Sequence, residues 1–250
     1  MNILNVAAYR FVRLDDLPQL RDGIRARCKS LGLKGTVLIA AEGINLFLAG
    51  AEPDIESCLD ALRADARFSA IEVKRSWSAT QPFRRLLVKV KREIVSMRRP
   101  EIDPLEAPAP RLAPQELKRW LDEGRDIVLL DTRNQFEVDL GSFERTLALG
   151  LKSFSEFPRS TAALADELKN RPVVTFCTGG IRCEKAAPWL IGQGFREVYQ
   201  LDGGILNYFE HCGGAHFRGA CFVFDERVAL DPELHATGSA LPGATPPLPA

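Results

Sequence analysis

The stretch Val173–Lys185, VVTFCTGGIRCEK, runs from an apolar segment into a cysteine, through two glycines to an arginine, and on into a helical pattern. Val173–Phe176 reads as a short buried strand and Arg182–Gln193 as the helix that follows it. In an α/β sheet, ligands are met at the carboxyl ends of strands, where the chain turns into the next helix. Cys177 stands at that position. Gly179 and Gly180 let the loop curl until its backbone N–H groups point inward, and the helix start adds its positive end. Thr178, Gly179, Gly180, Ile181 and Arg182 thus form a cradle for an anion or a persulfide, and Arg182 contributes a fixed positive charge. A thiol in such surroundings ionises well below the value of about 8.5 for free cysteine, so Cys177 reads as a nucleophilic or sulfur-carrying residue. The alternative is a small buried hydrophobe at a strand end. Two chemistries use a loop of this kind, phosphate-ester cleavage through a phosphocysteine and sulfur transfer through a persulfide. Cys177 to Arg182 is C-x4-R, one residue shorter than the C-x5-R loop of cysteine phosphatases, and the tighter cradle suits a sulfur atom better than a phosphoryl group.

The segments around this loop repeat its strand-then-helix alternation. A helix is expected over Pro114–Glu123, a strand over Ile127–Leu130, a helix near Ser160–Lys169 and a strand over Glu197–Tyr199. That pattern specifies an α/β domain with a mostly parallel sheet over 114–213. The 214–250 remainder is read as a C-terminal extension, with a Pro-, Gly- and Ala-rich disordered tail beyond Leu230. Upstream, RRPEIDPLEAPAPRLAP (Arg98–Pro114) holds five prolines and little apolar periodicity, so 98–113 reads as a stiff interdomain linker. Residues 1–97 follow a different order. Asn2–Phe11 is a strand, Leu14–Leu31 a helix with Leu17, Leu20, Ile24 and Cys28 on one face, and Thr36–Ala40 with Ile44–Leu48 a hairpin. A helix over Pro53–Asp65 and a strand over Ile71–Arg75 follow. The succession β-α-β-β-α-β is that of a ferredoxin-like sandwich, with a further strand at Leu86–Val95.

The chain has 250 residues and 46% hydrophobic content, enough for two cores. No apolar run reaches the roughly 20 residues that cross a bilayer, and the N-terminus lacks the features of a signal peptide, so a cytoplasmic location is expected. The six cysteines, Cys28, Cys58, Cys177, Cys183, Cys212 and Cys221, form no compact disulfide framework and are expected to be reduced. The net charge of zero hides a split: residues 1–100 carry 18 Lys and Arg against 11 Asp and Glu, and the remainder 15 against 22. Lys74, Arg75, Arg84, Arg85, Lys89, Lys91 and Arg92 concentrate the positive charge into a stretch able to meet phosphates, unless they are a well-solvated strand pair. Phe83 sits beside them as a possible stacking surface or core residue. His211, Cys212, His216 and Cys221 have the spacing H-C-x3-H-x4-C, which fits no standard zinc pattern. No metal site is assigned.

Several separated motifs then carry a resemblance. DTRNQFEVDLGSF (Asp131–Phe143), the C-x4-R loop and VYQLDGGILNYF (Val198–Phe209) resemble a rhodanese domain over about Pro114–Gly213. Together with AAEGINLFLAG (Ala40–Gly50) and FRRLLVKVKREIV (Phe83–Val95), they are similar in order and position to the rhodanese-domain tRNA uridine hydroxylases, formerly an uncharacterised family. The resemblance covers nearly the whole chain. It implies an enzyme that uses molecular oxygen to form 5-hydroxyuridine at the wobble position of tRNA, with Cys177 as the required cysteine. Asp131, Arg133 and Glu137 match the first rhodanese signature and are expected to organise the domain beside the loop, or to be a purely structural ion-pair network. The N-terminal domain is expected to engage the RNA, with phosphate contacts from Lys and Arg and the anticodon-loop uridine splayed into the Cys177 pocket. Some longer relatives carry a cysteine-rich extension, where this chain has a proline-rich segment.

Oxygen activation normally calls on a metal or a flavin. This sequence has no 2-His-1-carboxylate grouping, G-x-G-x-x-G fingerprint or evident haem ligand pair. What it offers is a thiolate, which can add to C6 of uracil and leave C5 electron-rich toward oxygen, or carry an oxidised sulfur. Cys183, six residues on, is a candidate to resolve a sulfenic acid or persulfide as a disulfide, or to point away along the helix. Two other functions remain compatible with the residues. One is a sulfurtransferase fed by a small-molecule or protein sulfur donor; the other is a non-catalytic RNA-binding or persulfide-sensing module.

Overall fold

The computed structural model describes residues 2–238 except 163 and 165. The chain forms two compact units: the first ends at Ile94 and takes in Asp225–Arg227, and the second begins at Val95.

The first unit has the expected β-α-β-β-α-β order: β1 (Ile3–Phe11), α1 (Leu17–Ser30), β2 (Lys34–Ala40), β3 (Gly43–Gly50), α2 (Glu52–Arg63) and β4 (Glu72–Ser78). β5 (Leu86–Val90) follows and pairs parallel with β2, giving the sheet order β4-β1-β3-β2-β5. Alternation along β1 sends Leu4, Val6 and Ala8 toward one face, where Cys28 of α1 and Ile55, Cys58 and Leu59 of α2 join the core. Each fully buried aliphatic side chain there contributes about 1.5–3 kcal/mol. Gly32, at φ 65°, ends α1 in the left-handed region that favours glycine.

The second unit contains β6 (Arg111–Leu112), α3 (Pro114–Asp122), β7 (Val128–Asp131), α4 (Gln135–Val138), β8 (Gly141–Phe143), β9 (Leu147–Ala148), α5 (Phe157–Thr161), β10 (Val173–Phe176), α6 (Ile181–Gly192), β11 (Val198–Leu201), α7 (Gly204–Cys212), β12 (Phe217–Gly219), β13 (Cys221–Phe222) and β14 (Ala229–Leu230). Its main sheet has the order β6-β11-β10-β7-β9, and every pairing in it is parallel. β10 is central and wholly buried, as its mainly apolar run requires, and its one polar side chain, Thr175, donates to Tyr199 O.

Three expectations change. The 98–113 segment expected as a linker belongs to the second unit: Arg111–Leu112 adds parallel to β11, Ala109 packs in the core, and the Pro110 carbonyl accepts from Gln200 N at 2.9 Å. Proline removes donors but leaves carbonyls, so a proline-rich segment can still complete a sheet edge. The single helix expected near Ser160–Lys169 is instead α5 and a separate 3₁₀ turn at Asp166–Asn170. Of the tail read as disordered, residues 231–238 form a turn in which Asp231 Oδ1 accepts from His235 N and Thr237 N donates to Ala229 O. Residues 239–250 lie outside the described part.

Candidate active site

The site is built where β10 ends. Cys177 follows the central strand, and Gly180, at φ 99°, turns the chain into α6 in a conformation open to glycine. That turn directs the Gly180 N–H onto Cys177 Sγ at 3.1 Å. Burial opposes ionisation of this thiol most strongly. It is outweighed by a hydrogen bond from Cys183, the Arg182 guanidinium and the amides of Arg182 and Gly180, which bring the thiol down to about 5. Cys183 shows the reverse effect, as burial and the adjoining Cys177 push it well above its ordinary value. The surroundings therefore favour ionisation of Cys177 over that of Cys183, which is completely buried with Thr132 Oγ1 at 3.8 Å from its sulfur. Cys183 points toward Cys177 rather than away from it.

Arg182 is placed differently from the expectation. Its Nη1 and Nη2 donate to Glu137 Oε2 and Oε1 at 2.6 and 2.8 Å, a buried two-pronged pair. The Arg182 guanidinium braces α6 against α4 and acts on the sulfur through its field, while backbone amides, its own included, act on the sulfur directly. Glu137 Oε2 also accepts from Asn134 N at the start of α4. Asp131 and Arg133 form a second buried pair one strand over, with Nε and Nη2 of Arg133 on the carboxylate, Ser142 Oγ on Asp131 Oδ2, and Nη2 also on Gly141 O. Four buried charges thus cancel in pairs, the condition under which burial of charge is tolerated.

Two features escaped the sequence reading. Ile205 N donates to Cys177 O at 2.9 Å and Leu206 N to Thr178 O at 3.1 Å, so the free amides at the start of α7 cap the carbonyls of the loop. The approach is close enough that a Cβ on Gly204 would lie 2.4 Å from Cys177 O and 2.7 Å from Gly180 N. The glycine pair in LDGGI was the only available signal. Cys221, considered above as a metal ligand, is buried near Thr178 and Arg133, and burial pushes its thiol up to about 12. His211 Nδ1 contacts Asn207 O and His216 Nε2 contacts Asp122 Oδ1, so these residues do not converge on one point. Among the described residues no group of three or more His, Cys, Asp or Glu could hold a metal ion.

Cys177 itself is only 1% exposed, so the expectation of a sulfur lining an open pocket is not met. The loop is held to α7 by the two amide bonds above, and Thr178 Oγ1 donates to Phe222 O of β13 at 3.2 Å.

In the first unit the basic residues do not form one face. Lys74 and Arg75 lie on β4 and Lys89 on β5, the opposite edges of the sheet, four strand spacings or about 19 Å apart. Arg75 is paired with Glu56, Arg84 with Glu226, and Lys74 lies over the Tyr9 ring. Arg85, Lys89, Lys91 and Arg92 are exposed along β5 and its two ends. Phe83 is half-buried.

Comparison with known proteins follows the same division. Residues 3–94 match the UPF0176 acylphosphatase-like domain and residues 113–211 the rhodanese-like domain. The chain is 54% identical over 243 residues to a tRNA uridine(34) hydroxylase of Cupriavidus necator, covering 95% of this chain and 86% of the relative. It is 55% identical to that of Variovorax paradoxus over 94% of this chain and 91% of the relative. For the Bordetella petrii protein of the same name the values are 53%, 97% and 98%. With both domains matched and identity above half along nearly its whole length, the chain belongs to the tRNA uridine(34) hydroxylase family.

Proposed function

We propose that this protein hydroxylates C5 of uridine 34 in tRNA, with molecular oxygen as the oxidant and the Cys177 thiolate as the reacting group. The tRNA substrate and the hydroxylation are carried by the names of its relatives. The observation that supports Cys177 is the amide cradle, with Gly180 N–H at 3.1 Å from a sulfur whose neighbours favour its ionised form. Sγ adds to C6 of the uracil, leaving C5 electron-rich toward oxygen. One atom of oxygen enters the base as the C5 hydroxyl. The outer oxygen of the C5 hydroperoxide passes to sulfur as the O–O bond breaks. Loss of the C5 proton with cleavage of the C6–S bond then restores the C5=C6 double bond and releases the base and Cys177 sulfenic acid, so both oxygen atoms are accounted for. Cys183 then condenses with the sulfenic acid, forming a disulfide and water, and a thiol reductant restores the pair. Because Cys177 is 1% exposed, the base reaches it only if the residues packed around the sulfur rearrange. Recognition of the anticodon loop falls to the exposed cations along β5, Arg85, Lys89, Lys91 and Arg92, which supply salt-dependent phosphate contacts. A cytoplasmic location follows from this substrate.

The test is nucleoside analysis of tRNA from a strain lacking the gene, complemented with the natural or the Cys177→Ser chain. The natural chain should restore 5-hydroxyuridine and its derivatives, and Cys177→Ser should fall by about a thousandfold or more. Full restoration by Cys177→Ser removes the thiolate from the mechanism. Unchanged tRNA in the deletion strain removes the function and leaves sulfur transfer, for which the same amide cradle would hold a persulfide, as the reading to pursue.

A further inference from the structure

A second pair of thiols lies in the first unit and takes no part in the chemistry assigned above. Cys28 of α1 and Cys58 of α2 face each other with sulfurs 3.7 Å apart, in van der Waals contact and unbonded. Their surroundings are not symmetric. Cys28 is completely buried, whereas Cys58 lines a cleft of about 410 Å³ between the two helices and the sheet. That volume lies within the range of small-molecule sites. The walls of the cleft are mostly apolar, with Leu20, Ile24, Leu62 and Phe68 among them, and the Arg67 ion pairs with Asp16 and Asp65 also border it. Gly23 also lines it, in the interior of α1, where glycine destabilises a helix relative to alanine. A Cβ at Gly23 would meet nothing within 4 Å, so packing does not require the glycine, and its absent side chain leaves the cleft open.

Arg27 completes the site. Its Nη2 donates to Ser57 O and Oγ, tying the last turn of α1 to α2 beside Cys58. A hydrogen bond from Cys28 favours ionisation of Cys58 most, burial opposes it, and the Arg27 charge assists, with the net direction downward. Cys28 is pushed strongly upward by the same contact and by burial. The thiol that faces the cleft is therefore the one inclined to ionise, and the thiol behind it keeps its proton. That order is required of an attacking and a resolving cysteine.

We propose that Cys58 and Cys28 form a second reactive thiol site, in which Cys58 reduces an organic hydroperoxide that enters the apolar cleft and Cys28 resolves the product to an intramolecular disulfide. In the first step the Cys58 thiolate attacks the terminal oxygen of the hydroperoxide. An S–O bond forms, the O–O bond breaks, and the alkoxide leaves with a proton as the alcohol. In the second step the Cys28 sulfur displaces that oxygen, forming the S–S bond and releasing water. The two thiols together lose two electrons and the hydroperoxide gains them. A dithiol reductant returns the pair to its starting state.

The full-length reduced protein treated with cumene hydroperoxide, followed by peptide mapping under non-reducing conditions, tests this directly. Mapping separates a Cys28–Cys58 linkage from one involving Cys177 and Cys183. The expected result is loss of both thiols with appearance of the Cys28–Cys58 linked peptides, faster than with hydrogen peroxide at equal concentration. In Cys28→Ser the reaction should stop at a Cys58 sulfenic acid that dimedone captures. Gly23→Leu touches neither sulfur and fills the cleft, and it should slow the linkage roughly tenfold or more. The proposal is overturned if the linked peptides do not form in the folded natural protein. It is equally overturned if hydrogen peroxide reacts as fast as cumene hydroperoxide, or if Gly23→Leu reacts at the natural rate.

Discussion

Arg182 and Lys89 carry the same charge in opposite circumstances. Arg182 is 6% exposed, and both prongs of its guanidinium are committed to Glu137; Lys89 stands in solvent on an edge strand. The buried cation braces two helices, favours an ionised sulfur through its field and is not free for a ligand. The exposed one fixes nothing and is available to a polyanion. Positive charge in this protein thus does two kinds of work, and burial, which spacing along the chain does not reveal, decides which.

The sharpest way to break that contrast is to remove the partner of the buried cation. Glu137→Ala leaves Arg182 charged and unpaired in the interior and should lower stability by about 3–5 kcal/mol, read from urea unfolding. Lys89→Ala should stay within about 0.5 kcal/mol of the natural protein. Equal effects would erase the distinction. Gly204→Ala follows in size. It places a Cβ at φ 68°, 2.4 Å from Cys177 O, and should lower stability by about 2–3 kcal/mol. If instead it unfolds with the natural midpoint, α7 does not clamp the loop as described.

The field of Arg182 and the amides can be read through pH. Alkylation of Cys177 by iodoacetamide, mapped by peptide, should rise with pH through about 5 and then level off, while Cys183 stays unreacted. A rise centred near 8.5, the value of about an ordinary thiol, would remove the cradle's effect. The linked stability has a definite sign. The folded state favours the ionised thiol, so between about 8.5 and 5 the unfolded chain binds more protons than the folded one. The stabilisation from Cys177 is fully present above the upper value and is lost as pH falls toward the lower one. Natural protein and Cys177→Ala should therefore differ increasingly as pH is raised across that window.

The smallest effect concerns the exposed cations. Lys89→Ala and Lys91→Ala should each weaken tRNA binding a few-fold, and each should reduce the steepness of its salt dependence by about one contact. Arg75→Ala should change it less, because its guanidinium is already held by Glu56.

Much of the fold follows from local pattern. The order β-α-β-β-α-β and the strand, loop and helix around Cys177 rest on apolar periodicity and glycine placement, both of which act over neighbouring residues. The features that the pattern did not disclose depend on distant partners. C-x4-R fits either an arginine aimed into the cradle or one braced away from it, and the carboxylate that decides lies 45 residues upstream. Arg111–Leu112 is too short to show a period, and its place in the sheet is set by β11. Lys74 to Arg92 are close in sequence, yet the connection between β4 and β5 carries the chain from one edge of the sheet to the other. Cys28 fits the apolar face of α1, and nothing nearby in sequence indicates that a second sulfur touches it.

The two hydrogen bonds from α7 to the loop have an effect that reaches beyond packing. In a trans peptide the C=O and the following N–H point in opposite directions. Holding the carbonyls of Cys177 and Thr178 toward α7 therefore turns the N–H groups of Thr178 and Gly179 the other way. The loop thus has a fixed polarity, hospitable to negative species and inhospitable to metal cations, and that polarity is dictated by a helix more than twenty residues downstream.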